Sequence, residues 1–349
     1  MHRFFVPLAL ALLLGSCETA KKPPIPVKVV VVTMFERGND TGDDPGEFQN
    51  WVEHEKLDTV IDFPQGYHNL RMNNDGVLGT LTGVGTAKAA ASIMALGLDP
   101  RFDLSKAYWI VAGIAGVDPL DASLGSAAWA EWVVDSDLGH EIDAREIPKD
   151  WATGFVPLRK STPYEQPRIP GLGVEYHLEP GIVDWAYNLT KDVQLTDSPA
   201  MKQEREKFKN ENARRPPFVL KGDTVSGGTF WHGKLLSDWA NGWVKYHTDG
   251  KGNYVTTAME DTGTLQSLTF LSKAGKVDLN RVLVLRTASD FDQPVPGESA
   301  ASSLARNKIG KYTGYGPSID AAWRVGRVVM ADLVKNWDKY RDQTPSGKP

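Results

Sequence analysis

The chain has 349 residues, 41% hydrophobic and 24% charged, enough for one large α/β domain or two ordinary ones with a substantial core. A net charge of -5 with no basic cluster excludes an electrostatic footprint for nucleic acid. No segment after the amino terminus approaches the roughly 18 consecutive apolar residues of a membrane-spanning helix, so a channel formed by the mature chain alone is also excluded.

Met1-His2-Arg3 is a short basic lead, and Phe4 to Leu14 is an apolar run of signal-peptide length. It ends in Leu14-Gly15-Ser16-Cys17, which resembles the lipobox of bacterial lipoproteins. Residues 1–16 are therefore expected to be removed, leaving Cys17 as a lipidated first residue on the periplasmic face of a bacterial membrane. The alternative is an ordinary signal peptide beside an incidental cysteine. Cys17 is the only cysteine, so no intramolecular disulfide forms. Residues 17–26, with Lys21, Lys22 and three prolines, read as an extended tether.

Val27 to Met34 is a valine-rich run expected as a buried strand. Phe35 to Glu47, FERGNDTGDDPGE, is a polar loop at its carboxyl end and holds Glu36 and Arg37. A helical segment lies around Trp51 to Leu57, then short strands at Asn69 to Met72 and Val77 to Thr82. Gly83-Val84-Gly85 leads into an alanine-rich helix, Ala87 to Leu98. Neither a P-loop nor a full G-x-G-x-x-G is present, which argues against a nucleotide cofactor. The strand Ala107 to Ala112 is expected to enter a glycine turn, Gly113-Ile114-Ala115-Gly116, and Ala127 to Asp135 reads as the next strand.

Between about 144 and 222 frequent prolines break the pattern, and only 181–191 and 200–212 read as helices. This stretch is expected as an insertion or lid. Thr224 to Trp231, TVSGGTFW, is the next candidate site edge, followed by a helix with Leu235, Leu236, Trp239 and Trp243. Tyr254 to Thr257 leads to Ala258-Met259-Glu260 and an apolar helix through Leu271. Val282 to Leu285 is expected as a buried strand, with Arg286, Ser289 and Asp290 just past its end, where open α/β sheets gather ligands. The helix Ser318 to Tyr340 is a packing element. The domain is expected to span 27–342, with a tail at 343–349. Eleven tryptophans suit either aromatic walls around a ligand or ordinary packing.

Gly83-Val84-Gly85, Gly113 to Gly116, Ser226-Gly227-Gly228-Thr229-Phe230, Ala258-Met259-Glu260 and Arg286 to Asp290 follow the motif order of the nucleoside phosphorylase and nucleosidase superfamily. The ending Ser289-Asp290-Phe291-Asp292-Gln293-Pro294 and the tryptophan-rich insertion most resemble the purine nucleoside permease (NUP) family. The resemblance implies a three-layer α/β/α sandwich around a twisted mixed sheet, with a purine nucleoside as partner. It implies that Phe230 stacks on the base, Met259 lies under the sugar and Glu260 bonds the ribose hydroxyls. It also implies that Asp290, oriented by Arg286 and Ser289, holds or protonates the purine at N7. Where phosphorylases carry phosphate-binding groups around Gly113, this chain has Val111 and Ile114. Hydrolysis is thus favoured over phosphorolysis, with phosphate the less favoured co-substrate and water positioned by Glu36 or another loop acid. Arg37 is the one candidate cation there. No metal or other cofactor is expected, and a homo-oligomer stays open.

Taken one at a time, these residues are equally well a turn cap, a core aromatic, a gap filler and a solvated carboxylate. Two functions compete: cleavage of purine nucleosides to base and sugar, and non-catalytic nucleoside binding as a lipid-anchored component of uptake. A structural envelope protein is a weaker third, since it leaves the glycine motifs and Phe230 unexplained.

Overall fold

The computed structural model describes residues 22–306 and 312–347, so residues 1–16, Cys17 and most of the tether lie outside it. Crowded β-branched valines favour an extended chain covered on both faces. They form β1 (Val29–Thr33), in which every residue is buried. The polar loop after it leads to α1 (Gln49–His54). Then come β2 (Thr59–Ile61), β3 (Leu70–Met72) and β4 (Val77–Leu81), the last lying parallel to β1.

The remaining principal elements are α2 (Thr86–Gly97), β5 (Tyr108–Val117), β6 (Ala127–Ala130), β7 (Trp132–Asp135), β8 (Glu175–His177), α3 (Pro180–Thr190), β9 (Val219–Lys221) and β10 (Asp223–Ser226). After them follow α4 (Lys234–His247), β11 (Tyr254–Ala258), α5 (Asp261–Lys273), β12 (Val282–Phe291), α6 (Ala300–Arg306) and α7 (Tyr315–Lys335). Among the described residues twelve strands make one mixed sheet in the order β8-β7-β10-β11-β5-β1-β4-β3-β2, with β12 paired to β5 and β6, and β6 to β9.

β5 is the hub. Its first half pairs in parallel with β1, its whole length with β12, and its last residues run antiparallel to β11. The carboxyl ends of β1, β5 and β12 therefore emerge side by side, which is where such sheets place ligands. Helices cover the sheet as the outer layers of a three-layer α/β/α sandwich. α7 buries Ala321, Ala322, Val325, Val329 and Leu333, spaced one face apart, against β12 and β5. α2 and α5 approach so closely that a Cβ at Gly263 would strike the Thr86 carbonyl, so only glycine fits there.

Several expectations are corrected. Gly113 to Gly116 is not a turn but continues β5, because β12 runs beside it and supplies ladder partners as far as Val117. For the same reason Arg286, Ser289 and Asp290 lie within β12 and not beyond it. The single strand expected over 127–135 is two, broken at Glu131, where the Asp223 carboxylate accepts the N–H groups of Glu131 and Trp132. The helix expected over 200–212 is likewise two, Pro199–Arg205 and Glu211–Arg214. Within 144–222, β8 and β9 join the main sheet, and Phe155–Pro157 pairs with Gly139–Glu141, which precedes that stretch, in a separate hairpin.

Candidate functional site

Two buried clusters of acids stand at the strand ends. The first is built around Arg286, whose side chain is 1% exposed. Its guanidinium donates to Asp261 at 2.6 and 3.0 Å, to Glu260 at 3.2 Å and to the Ile114 carbonyl at 3.2 Å. Burial alone would lower its pKa, but Asp261 and Glu260 outweigh that and raise it. Arg286 therefore does not orient Asp290 as expected. The reason is a β-bulge in β12: Ala288 pairs with Ala115 and Asp290 with Gly116, leaving Ser289 as the extra residue between them.

Glu260 follows β11 at the start of α5. It accepts N–H groups from Gly85 at 3.1 Å and Met259 at 3.3 Å. An ion pair with Arg286 should hold a carboxylate low, yet burial dominates and its pKa is raised, with Asp261 adding to the effect. Met259 is half-buried, and its carbonyl accepts the Thr86 hydroxyl at 3.1 Å, which ties the start of α2 to this corner.

Glu47, which the sequence reading did not single out, completes the cluster. Its carboxyl accepts the Ile114 N–H at 2.7 Å and the Met34 N–H at 2.8 Å, bridging the ends of β5 and β1. Burial, opposed by Arg286, pushes it up to about 8, so at neutral pH it mostly carries a proton. Gly113 makes room for this contact, since a Cβ there would lie 2.7 Å from both Arg286 Nη1 and Glu47 Oε1.

Among the described residues no basic side chain bonds the acids of the second cluster. Asp290 is 5% exposed, and burial pushes its carboxyl up to about 7 against the lowering effect of Ser289. The Ser289 hydroxyl lies 2.7 Å from Asp290 Oδ1 and 3.1 Å from the Ala115 carbonyl, and can donate to either. Two residues on, Asp292 accepts the Tyr254 hydroxyl at 2.7 Å, while its other oxygen has no partner among the described residues. Burial first, and Asp118 second, raise the Asp292 pKa well above the carboxylate range. A cavity of about 170 Å³ opens onto Asp290, lined also by Ser289, Phe208, Gln293, Arg306 and Tyr312.

Not every expected residue joins these clusters. The Glu36 carboxylate is taken up by the N–H groups of Arg37, Gly46, Phe48 and Gln49, the last at 2.7 Å, and so caps α1 and closes its loop. It has no free oxygen with which to hold water. Arg37 is paired with Asp44 at 2.7 Å and stands over the Tyr315 ring, 5.2 Å from its centroid. Phe230 lies on the loop after β10 with 43% of its surface exposed. Val111 is wholly buried core.

The chain matches the family model for purine nucleoside permease (NUP) over residues 26–345. It is 32% identical over 293 residues to a Schizosaccharomyces pombe protein named "Probable purine nucleoside permease", an alignment covering 81% of this chain and 83% of that one. A Candida albicans purine nucleoside permease is 33% identical over 265 residues, covering 74% of this chain and 64% of its own length. Among solved structures, futalosine hydrolase of Helicobacter pylori superposes with a TM-score of 0.52 at 14% identity, covering 89% of this chain and 98% of that one. A 5'-methylthioadenosine/S-adenosylhomocysteine nucleosidase of the same organism gives 0.51 at 14% identity, again covering 89% and 98%. The fold is thus nucleoside phosphorylase-like, and the chain belongs to the purine nucleoside permease family.

Proposed function

We propose that this protein binds purine nucleosides and hydrolyses their N-glycosidic bond. The observation that carries the reading is Asp290: a buried carboxyl near the end of β12, facing a cavity, with no basic side chain bonded to it among the described residues, and pushed up to about 7. Such a group can hold a proton at neutral pH and give it to a departing base. Cleavage develops positive charge on the sugar and negative charge on the base, so an acid at one end and carboxylates at the other both act on charge that grows in the transition state. In this reading Asp290 protonates the purine at N7 as the C1'–N9 bond breaks. Phe230 stacks on the base, and Glu260 and Met259 hold the sugar. Water adds to C1' and gives its proton to Glu47 in that fraction of molecules in which this carboxyl is ionised, a minority at neutral pH because burial raises it to about 8.

Hydrolysis is favoured over phosphorolysis by the occupancy of the groups an anion would need. The Ile114 and Met34 N–H groups already serve Glu47, and Arg286 already serves Asp261 and Glu260. Incubation of purified protein with inosine and adenosine, with and without phosphate, tests this. Free base should appear at equal rates in both, with sugar and not sugar phosphate as co-product. Base release that requires phosphate would reject the hydrolytic route.

The names of the fungal relatives favour a second reading, in which the same pocket captures nucleoside for uptake without turnover. Among the described residues no helix is long and apolar enough to cross a membrane. Either function would then be exercised from a tether at the membrane surface, through a lipidated Cys17. Acylation of Cys17, read by mass spectrometry of membrane-extracted protein, is expected; an unmodified Cys17 in the soluble fraction contradicts the anchor.

A further inference from the structure

The larger concavity is not the one at Asp290. A cleft of about 640 Å³ opens between the Gly139–Glu141/Phe155–Pro157 hairpin with its connecting loop and the start of α4. Its walls include Trp151, Phe155, Trp231, Leu236, Trp239 and Trp243. The volume lies within the range of preformed small-molecule sites, and aromatic walls with few polar groups are how such sites are lined. The walls brace one another: Phe155 stacks on Trp239 at 4.2 Å, and Trp231 meets the Trp239 ring edge-on at 6.1 Å. The exposed Leu235, at 79%, adds an apolar lip.

Polarity narrows the occupant. Among the described residues that line the cleft there is no lysine or arginine, whereas Asp137 and Glu141 bring two carboxylates to it. An anion would meet two carboxylates and no permanent cation, while a neutral or cationic ring would meet flat apolar walls and acceptors for its N–H groups. The cleft is also set apart from the Asp290 cavity. They lie on opposite sides of the segment 226–237: Thr229, Trp231 and Leu236 line the cleft, while Gly233 and Ser237 bond Asp292 and Gln293 beside Asp290.

We propose that this cleft is a second small-molecule site, for a neutral or cationic planar heteroaromatic molecule of one or two fused rings, distinct from the site at Asp290. Its walls are furnished by the hairpin, its connecting loop, α4 and the loop at 229–231, and of these only the last supplies a residue, Phe230, to the proposed nucleoside site.

Adenine is a suitable probe, since it is planar, neutral and has no bond to cleave. Titration of the full chain, followed by tryptophan emission and by the NMR signals of the indole N–H groups, should resolve two binding events. Trp151→Ala and Leu236→Ala, on opposite walls, should each weaken one event by about tenfold, the loss expected for one good aromatic or apolar contact, and leave the other unchanged. Phe230→Ala should do the reverse. Indole should bind the cleft at least about tenfold more tightly than indole-3-acetate, its anionic counterpart. Binding unaffected by both cleft substitutions, or indole-3-acetate bound as tightly as indole, overturns the proposal. If the cleft event behaves as stated but Phe230→Ala changes nothing, the cleft stands and the assignment of Phe230 fails.

Discussion

The Arg286 cluster and the Asp290 cluster are both groups of carboxyls buried at neighbouring strand ends, yet they solve the cost of burial differently. Around Arg286 a cation is held between Asp261 and Glu260, so charge is neutralised in place there, and only Glu47, raised to about 8, holds a proton instead. Around Asp290 no basic side chain bonds the acids among the described residues, and the low-dielectric surroundings are met by holding protons. The first cluster is therefore pinned at Asp261 and Glu260 by its cation and has one proton-holding member, Glu47, while the acids of the second are balanced by protons. In the proposed reaction the first would supply a field beneath the sugar and the second a movable proton beside the base, the two halves that glycosidic cleavage requires.

The largest effect should come from removing the cation. Arg286→Met leaves Glu260 and Asp261 buried and unpaired, and should cost about 3–5 kcal/mol of stability, measured by urea unfolding. A loss below about 1 kcal/mol would mean that the acids there take up protons without penalty, and the two clusters would not differ as described. Next is Glu47→Gln, which keeps the shape and one acceptor but cannot take a proton from water. Turnover should fall by about 100 to 10,000-fold, the range for a lost general base, with adenine affinity little changed. Full turnover would remove Glu47 from the chemistry.

A smaller effect concerns pH. Asp290 is raised to about 7 and Glu47 to about 8, so the folded chain binds protons more tightly than the unfolded one. Their contribution to stability is complete below the unfolded carboxylate pKa, near 4, and is lost as pH rises through about 7 and about 8. Asp290→Asn should therefore flatten the decline in unfolding free energy between about pH 4 and 7. Parallel slopes for wild type and variant would show that Asp290 is not protonated in the native state.

Much of this was legible in the sequence because it is local. VKVVVVTM and VLVL announce buried strands through β-branched and aliphatic runs, and the order of short motifs identifies the fold. The alanine-rich run after Gly85 and the spacing of Ala321 to Leu333 likewise lead directly to α2 and α7. What the sequence hid is what depends on partners distant in the chain. Glu47 is one acid among several in a loop, and only the meeting of β1 and β5 gives it the N–H groups of Met34 and Ile114. Glu36 looked equally suitable until the loop folded back onto it. Arg286 sits four residues before Asp290, which suggests a shared face, but the bulge at Ser289 breaks that alternation and sends it to Asp261. The extension of β5 through Gly113 to Val117 was hidden as well, since glycines signal a turn unless a neighbouring strand supplies a ladder.

The most direct test of the account is Asp290→Asn, assayed for base release from inosine and for ligand binding on the same preparations. The substitution keeps the shape and a hydrogen-bonding group but removes the transferable proton. The account predicts turnover reduced by about 100 to 10,000-fold with ground-state affinity changed only by the modest amount of one altered hydrogen bond. Turnover that survives the substitution, or a wild type that binds inosine but releases no base above buffer, contradicts it.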